Sequence, residues 1–269
     1  MAGLLQAFAL SLSTISGQAR RSAVGGRPLL LQADSRYEHE RAMAQTIIQI
    51  AGVRDEGEAG MLVANGVHRL GFPIGLDVHA EDLPADEAAA VIERLDIGFQ
   101  AWLITYRHDP RAVAAMCRRL GCAGVQLHGD AGPDALRRFK ALCPGLQVVK
   151  SLVVREGNLA ELEERVRALA AHVDGFITDT FDPASGASGA TGKTHDWGVS
   201  RRLVELSPRP VILAGGLTPE NVARAIETVR PAGVDVHTGV EDGSGRKDPA
   251  RVRAFVSNAS AAFAALART

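Results

Sequence analysis

Aromatic side chains are scarce in this chain, at 4% of 269 residues, and Ala, Val, Leu and Gly dominate. That composition suits helices packed closely on strands. An excess of either charge is also missing. The formal net charge is −1, so there is no electrostatic reason to expect nucleic acid or a membrane surface as a partner. Any anionic ligand must therefore be held by a local site. Three cysteines, Cys117, Cys122 and Cys143, show no CxxC spacing. They are expected as free thiols in a reducing compartment, and the chain as cytoplasmic. No apolar run is long enough to cross a bilayer. Residues 4–12, LLQAFALSL, are short and lack a basic leader, so no signal peptide is expected.

What is present is an ordinary globular balance, 46% hydrophobic with both charges mixed. Residues 1–42 contain Gly-Gly, Ser and many charges without periodicity, and read as an N-terminal extension to a main domain at 43–269. Met43 precedes the first strong strand; it is either the authentic start or the end of a real arm.

From residue 46 onward a strand-then-helix alternation repeats. Strands are expected at Thr46–Ala51, Val67–Phe72, Phe99–Thr105, Gly124–Leu127, Gln147–Leu152, Gly175–Thr178, Pro210–Ala214 and Val234–His237. Helices are expected at Arg54–Asn65, Pro84–Leu95, Pro110–Leu120, Asp134–Leu142, Leu159–His172, Trp197–Leu206, Pro219–Thr228 and Pro249–Leu266. The strands are short continuous apolar runs, as parallel strands buried on both faces require. Eight such units predict an α/β fold, a single-domain (β/α)8 TIM barrel with an N-terminal extension. The alternative, a doubly wound sheet, would carry a glycine loop after its first strand; here that loop is the short Gly52-Val53-Arg54, and no GxGxxG is present.

In a barrel the site lies at the C-terminal ends of the strands. That rule selects Asp55, Asp77, His79, Glu81, Thr105, His128, Lys150, Asp179, His237, Thr238 and the glycines after strands six to eight. Asp179 at the end of strand six faces a loop carrying Gly186, Gly189 and Gly192, a pattern suited to acid–base chemistry on an anionic substrate. Plainer roles compete. Asp55 reads first as a helix cap, His128 as a loop-orienting residue, Lys150 as an ion-pair partner, and Gly215-Gly216 as a tight turn.

Several segments then act together: QIAGVRDEGEA, RLGF, GVQLHG, ITDT with the glycine loop and THDW, ILAGGLTPENV, and GVDVHTGVE. In this order they resemble the phosphoribosylanthranilate isomerase family of tryptophan biosynthesis, over most of 46–256. The resemblance implies an Amadori rearrangement, in which a general acid opens a ribosylamine ring and a general base removes the C2 proton. It places the acid at Asp179. It places the substrate phosphate on backbone amides at Gly189, Gly192, Gly215, Gly216, Thr238 and Gly239, which peptide N–H groups can do without a large positive charge. His237 stands where the family has a small polar residue and could add a protonated imidazole to that site.

Two departures stand out. The family's base is a cysteine, and the matching residue is Ala51. The family's arginine for the anthranilate carboxylate is missing, and the segment from Pro73 to Asp82 is acidic. The expectation is thus a sugar-phosphate isomerase with an altered substrate and a replacement base. His79 and His128 are the first candidates, with Asp77 and Glu81 behind them. No cofactor and no metal are expected, the substrate is a small phosphorylated sugar, and the protein is a monomer or homodimer. The alternatives are a non-catalytic phosphate-binding barrel, or a metal-dependent epimerase or aldolase using His79, Asp179 and one of His128 or His237, with Lys150 as a possible Schiff-base lysine.

Overall fold

The computed structural model describes residues 46–76, 81–95, 98–180 and 194–268. The expected extension at 1–42 lies outside them. Eight parallel strands close on themselves in chain order. They are β1 (Ile47–Ala51), β2 (Arg69–Pro73), β3 (Gln100–Thr105), β4 (Gly124–Leu127), β5 (Gln147–Val154), β6 (Gly175–Thr180), β7 (Val211–Leu213) and β8 (Gly233–Val236). The intervening helices are α1 (Glu56–Ala64), α2 (Ala85–Arg94), α3 (Pro110–Leu120), α4 (Pro133–Leu142), α5 (Leu159–Leu169), α6 (Trp197–Leu206) and α7 (Val222–Val229), with α8 (Pro249–Leu266) last. This is the (β/α)8 barrel. Among the described residues no helix is long and apolar enough to cross a membrane.

The elements form where they do for local reasons. Asp55, Asp109, Asp196 and Asp248 each accept a hydrogen bond from a backbone N–H in the first turn of the helix that follows. Pro110 and Pro249 sit at helix starts, where no amide proton is missed. Gly121 ends α3 in the left-handed conformation at φ 63°.

Alternation along each strand sends one set of side chains outward to the helices and the other into the barrel. The outward set, including Ile50, Leu70, Leu103 and Phe176, merges with Leu62, Leu136 and Phe255 from the helices into one buried core. Each such side chain contributes about 1.5–3 kcal/mol by leaving water. Inside, Trp102, Val149, Ile177, Ile212 and Ala214 form a separate apolar cluster. Gly124 is required there, because a Cβ would overlap the Trp102 ring. The buried Arg69 guanidinium lies 3.8 Å from that ring. Several strand ends differ from expectation, and two of them matter for the site. β6 continues through Thr180, so Asp179 is held within the ladder, paired with Val153. β8 ends at Val236, so His237 lies beyond it in the loop.

Candidate active site

The barrel mouth holds a cavity of about 500 Å³ lined by residues from the strand ends, among them Ala51, Tyr106, His128, Asp179, Asp235 and His237. Asp179 is anchored by one oxygen. Its Oδ1 accepts the Thr180 N–H at 2.9 Å. Its Oδ2 lies 3.0 Å from Nδ1 of His128, and both side chains are almost fully buried. The two atoms are close but not aligned as a hydrogen bond, and neither has another partner among the described residues.

The opposite face of the His128 ring is set by its own strand. Gln126 Nε2 is 2.7 Å from His128 Nε2, and Gln126 Oε1 accepts from Gln49 Nε2 at 2.9 Å. The Gln126 amide therefore donates to His128 Nε2, which leaves the imidazole proton on Nδ1, facing Asp179. Gln49 Nε2 also donates to Asp235 Oδ1 at 2.8 Å. A continuous polar chain thus crosses the barrel interior from β8 through β1 and β4 to β6. Tyr106 packs its ring against His128 at 5.3 Å. Burial, reinforced by the Asp179 charge, holds its phenol well above the usual range.

Asp235 is the carboxylate at the β8 end of this polar chain. Burial raises it from 3.8 to about 6, against the opposing pull of Gln49, His237 and His128. Below it Arg69 is lowered to about 10, chiefly by burial and partly offset by Asp235.

The glycine turns form the other half of the site. Gly215 and Gly216 follow β7 with φ of 99° and 63°, which only glycine adopts without strain. A Cβ at Gly215 would overlap Thr180 Oγ1. That hydroxyl is 2.8 Å from His195 Nδ1, and His195 Nε2 is 2.6 Å from Ser200 Oγ on α6. Burial lowers His195 to about 4, so it is neutral and acts as a strut. A Cβ at Gly239 would overlap the Leu217 carbonyl oxygen. This contact sets the short 3-10 turn Thr238–Val240 directly against the loop after β7. Among the described residues, no acceptor takes the N–H of Gly215, Gly216, Thr238 or Gly239. These groups line the cavity and can receive an anion.

The sequence-based candidates sort as follows. Asp179, His128, Gly215, Gly216, Thr238, Gly239 and His237 share the one cavity. His79, Asp77, Gly189 and Gly192 lie outside the described residues. His237 packs its ring over Gly52, and its Nε2 is 3.4 Å from both Asp82 Oδ2 and Glu241 Oε1. Paired carboxylates make it a poor phosphate ligand. Glu81 accepts the Gly75 N–H at 2.7 Å and so braces the loop after β2. Asp55 is the N-cap of α1. Lys150 does not reach the cavity. It is buried, and its Nζ donates to the Leu127 and Ser151 carbonyls at 3.0 and 3.1 Å, which corrects both the ion-pair and the Schiff-base readings. Among the described residues no three His, Cys, Asp or Glu side chains are grouped so as to hold a metal ion.

Gln49, Gln126 and Asp235 were not singled out from the sequence. The signal was present, since Gln49 interrupts Ile48 and Ile50, and Asp235 interrupts Val234 and Val236. A lone polar residue inside a doubly buried strand points into the barrel.

Comparison with known proteins shows the family. The family model described as N-(5'-phosphoribosyl)anthranilate (PRA) isomerase matches residues 106–258. N-(5'-phosphoribosyl)anthranilate isomerase of Haloferax volcanii is 38% identical over 222 residues, spanning 82% of this chain and 96% of that protein. The phosphoribosyl anthranilate isomerase structure from Thermococcus kodakaraensis superposes with a TM-score of 0.65 at 30% identity, covering 80% of this chain and 98% of that one. A further isomerase structure, in complex with reduced 1-(o-carboxyphenylamino)-1-deoxyribulose 5-phosphate, shares the fold with a TM-score of 0.67 at 24% identity, covering 81% of this chain and all of that one.

Proposed function

The chain belongs to the N-(5'-phosphoribosyl)anthranilate isomerase family, and we propose that it catalyses an Amadori-type aldose–ketose isomerisation of a phosphorylated ribosylamine with Asp179 as general acid. The observation that carries this reading is the pair of unsatisfied atoms, His128 Nδ1 and Asp179 Oδ2, buried together in the cavity whose rim is made of unbonded glycine amides. The substrate phosphate rests on Gly215, Gly216, Thr238 and Gly239. That places the ribosyl ring over Asp179, which protonates the ring oxygen as the C1–O bond opens. His128 presents its Nδ1 proton to the carboxylate left behind and stabilises it. Gly189 and Gly192 complete the phosphate cover in this reading.

The amine partner differs from anthranilate. The cavity wall beside β1, β2 and β8 carries the carboxylates of Asp82 and Glu241. Arg54, which lines the same cavity, has its Nε 3.7 Å from Asp82 Oδ1, so its charge is offset by that carboxylate. Such a wall favours an amine substituent without a carboxylate. The reading is tested by measuring turnover of N-(5'-phosphoribosyl)anthranilate and of ribosylamine 5-phosphates with uncharged substituents. The expected order is the uncharged substituents first; inertness toward all of them contradicts it.

Ala51 supports a second reading, a phosphate-binding barrel without catalysis, because an alanine methyl cannot take a proton. Binding of the reduced aminodeoxyribulose phosphate without turnover of any ribosylamine would select it.

A further inference from the structure

The isomerase reading needs a base opposite Asp179, and the described candidates are quickly reduced. His128 accepts from Gln126 at Nε2 and carries its proton on Nδ1, so it has no lone pair to offer. Glu81 is bound to Gly75. His237 is turned onto Gly52 toward two carboxylates. We propose that Asp235 is the general base, filling the role for which Ala51 has no functional group. The assignment rests on the isomerase reading above.

Three features support it. Asp235 points inward from β8, two strands from Asp179 on β6, and both line the same cavity. Between them, just past β7, the cavity is lined first by Ala214, Gly215 and Gly216, none with a side chain larger than a methyl. Asp235 pairs with Gln49; the next inward position on β1 is Ala51, and His237 stands just past the end of β8. With a methyl at one and a ring swung away at the other, the carboxylate opens to the cavity.

Its orientation is also fixed. Gln49 bonds Oδ1, and no described group bonds Oδ2. The groups around it are Gln49, Arg69, His128, Asp179 and His237. Burial among them lifts the carboxyl to about 6, near enough to neutrality for efficient proton transfer.

The step balances. Asp179 protonates the ring oxygen, the C1–O bond breaks, and the nitrogen lone pair forms a C1=N iminium. Asp235 takes the proton from C2, the C2–H electron pair forms C1=C2, and the C=N pair returns to nitrogen. Asp235 then returns its proton to C1 as the 2-hydroxyl proton passes to Asp179, leaving the amino ketone and both residues in their starting states.

The test compares wild type, Asp235→Asn, Ala51→Cys and the double variant, with N-(5'-phosphoribosyl)anthranilate and ribosylamine 5-phosphates bearing uncharged substituents as substrates and the reduced aminodeoxyribulose phosphate as binding probe. The account expects Asp235→Asn to lower kcat about 10²–10⁴-fold with the dissociation constant of the probe nearly unchanged. It expects Ala51→Cys in that background to restore turnover by at least about 10-fold, because the thiol supplies a base at the vacant position. Unchanged turnover in Asp235→Asn overturns the assignment. So does loss of probe binding, or absence of rescue, either of which makes Asp235 structural. An inert wild type beside an active Ala51→Cys variant overturns it while leaving the acid and phosphate sites standing. Inertness of both removes the isomerase reading, and the base role with it.

Discussion

His128 Nδ1 lies 3.0 Å from Asp179 Oδ2, and Gln126 on the far side of the imidazole determines that the proton is on that nitrogen. The relationship links two strands. A residue in the middle of β4 fixes the tautomer of one just past its end, which faces a carboxylate on β6.

Gln126→Leu removes the donor to Nε2 without touching the cavity's acid. The ring is then free to place its proton on either nitrogen. We expect kcat to fall by about 10-fold or more, with KM changed little, because the interaction matters most when charge develops on Asp179. A rise in KM at constant kcat would assign Gln126 to binding instead.

Asp235 makes stability depend on pH in a definite direction. Its folded-state value, about 6, exceeds the unfolded 3.8, so the native state binds more protons in that window and its stability falls as pH rises through it. Asp235→Asn keeps an acceptor for Gln49 and removes the buried charge. Its unfolding free energy should match wild type near about pH 4 and exceed it above about pH 7, by on the order of 3 kcal/mol at most, with the melting temperature following. Equal melting temperatures across that range would show that the carboxylate is not destabilised in the fold.

Gly239→Ala tests the rim. Its Cβ would overlap the Leu217 carbonyl oxygen, a backbone atom with little room to move. The turn must shift and carry the Gly239 N–H away from the Gly215 and Gly216 amides. Affinity for the reduced aminodeoxyribulose phosphate should drop by about 10-fold or more, as expected for lost hydrogen bonds to a charged group. Gly121→Ala serves as the control. It has positive φ, at 63°, but has open space around it and does not line the cavity. It should cost only about 1 kcal/mol of stability and leave binding intact.

Arg69→Ala tests the floor of the barrel. The guanidinium fills interior space against Trp102 and is the buried cation near Asp235. Its removal leaves both a cavity and an uncompensated charge, a loss of about 3–5 kcal/mol measured by urea denaturation. A loss below about 1 kcal/mol would mean that water or relaxation replaces it.

Much of this architecture was legible in the residues. Short apolar runs alternating with helical periods specify eight units, and the order of glycine and acid after strands six to eight specifies which end is functional. Asp179 and His128 could be located because the site of a barrel lies at the C-terminal ends of its strands. What escaped was the interior. Gln49, Gln126 and Asp235 are far apart in the chain and meet only through barrel closure, and a lone polar residue in an apolar strand has no local pattern to mark its partner. Lys150 was misplaced for the related reason that strand alternation, not strand end, determines which side a residue faces; it points outward and bonds to backbone. Glu81 and His237 stood at plausible positions, but neighbouring groups occupy them.

The central claim is that Asp179 is the acid of a phosphate-anchored isomerisation. Its most direct test is Asp179→Asn, with turnover measured on the best ribosylamine 5-phosphate and affinity measured for the reduced aminodeoxyribulose phosphate. The account predicts loss of turnover by about 10²–10⁴-fold with affinity preserved. Turnover equal to wild type, with the phosphate ligand still bound, would contradict it.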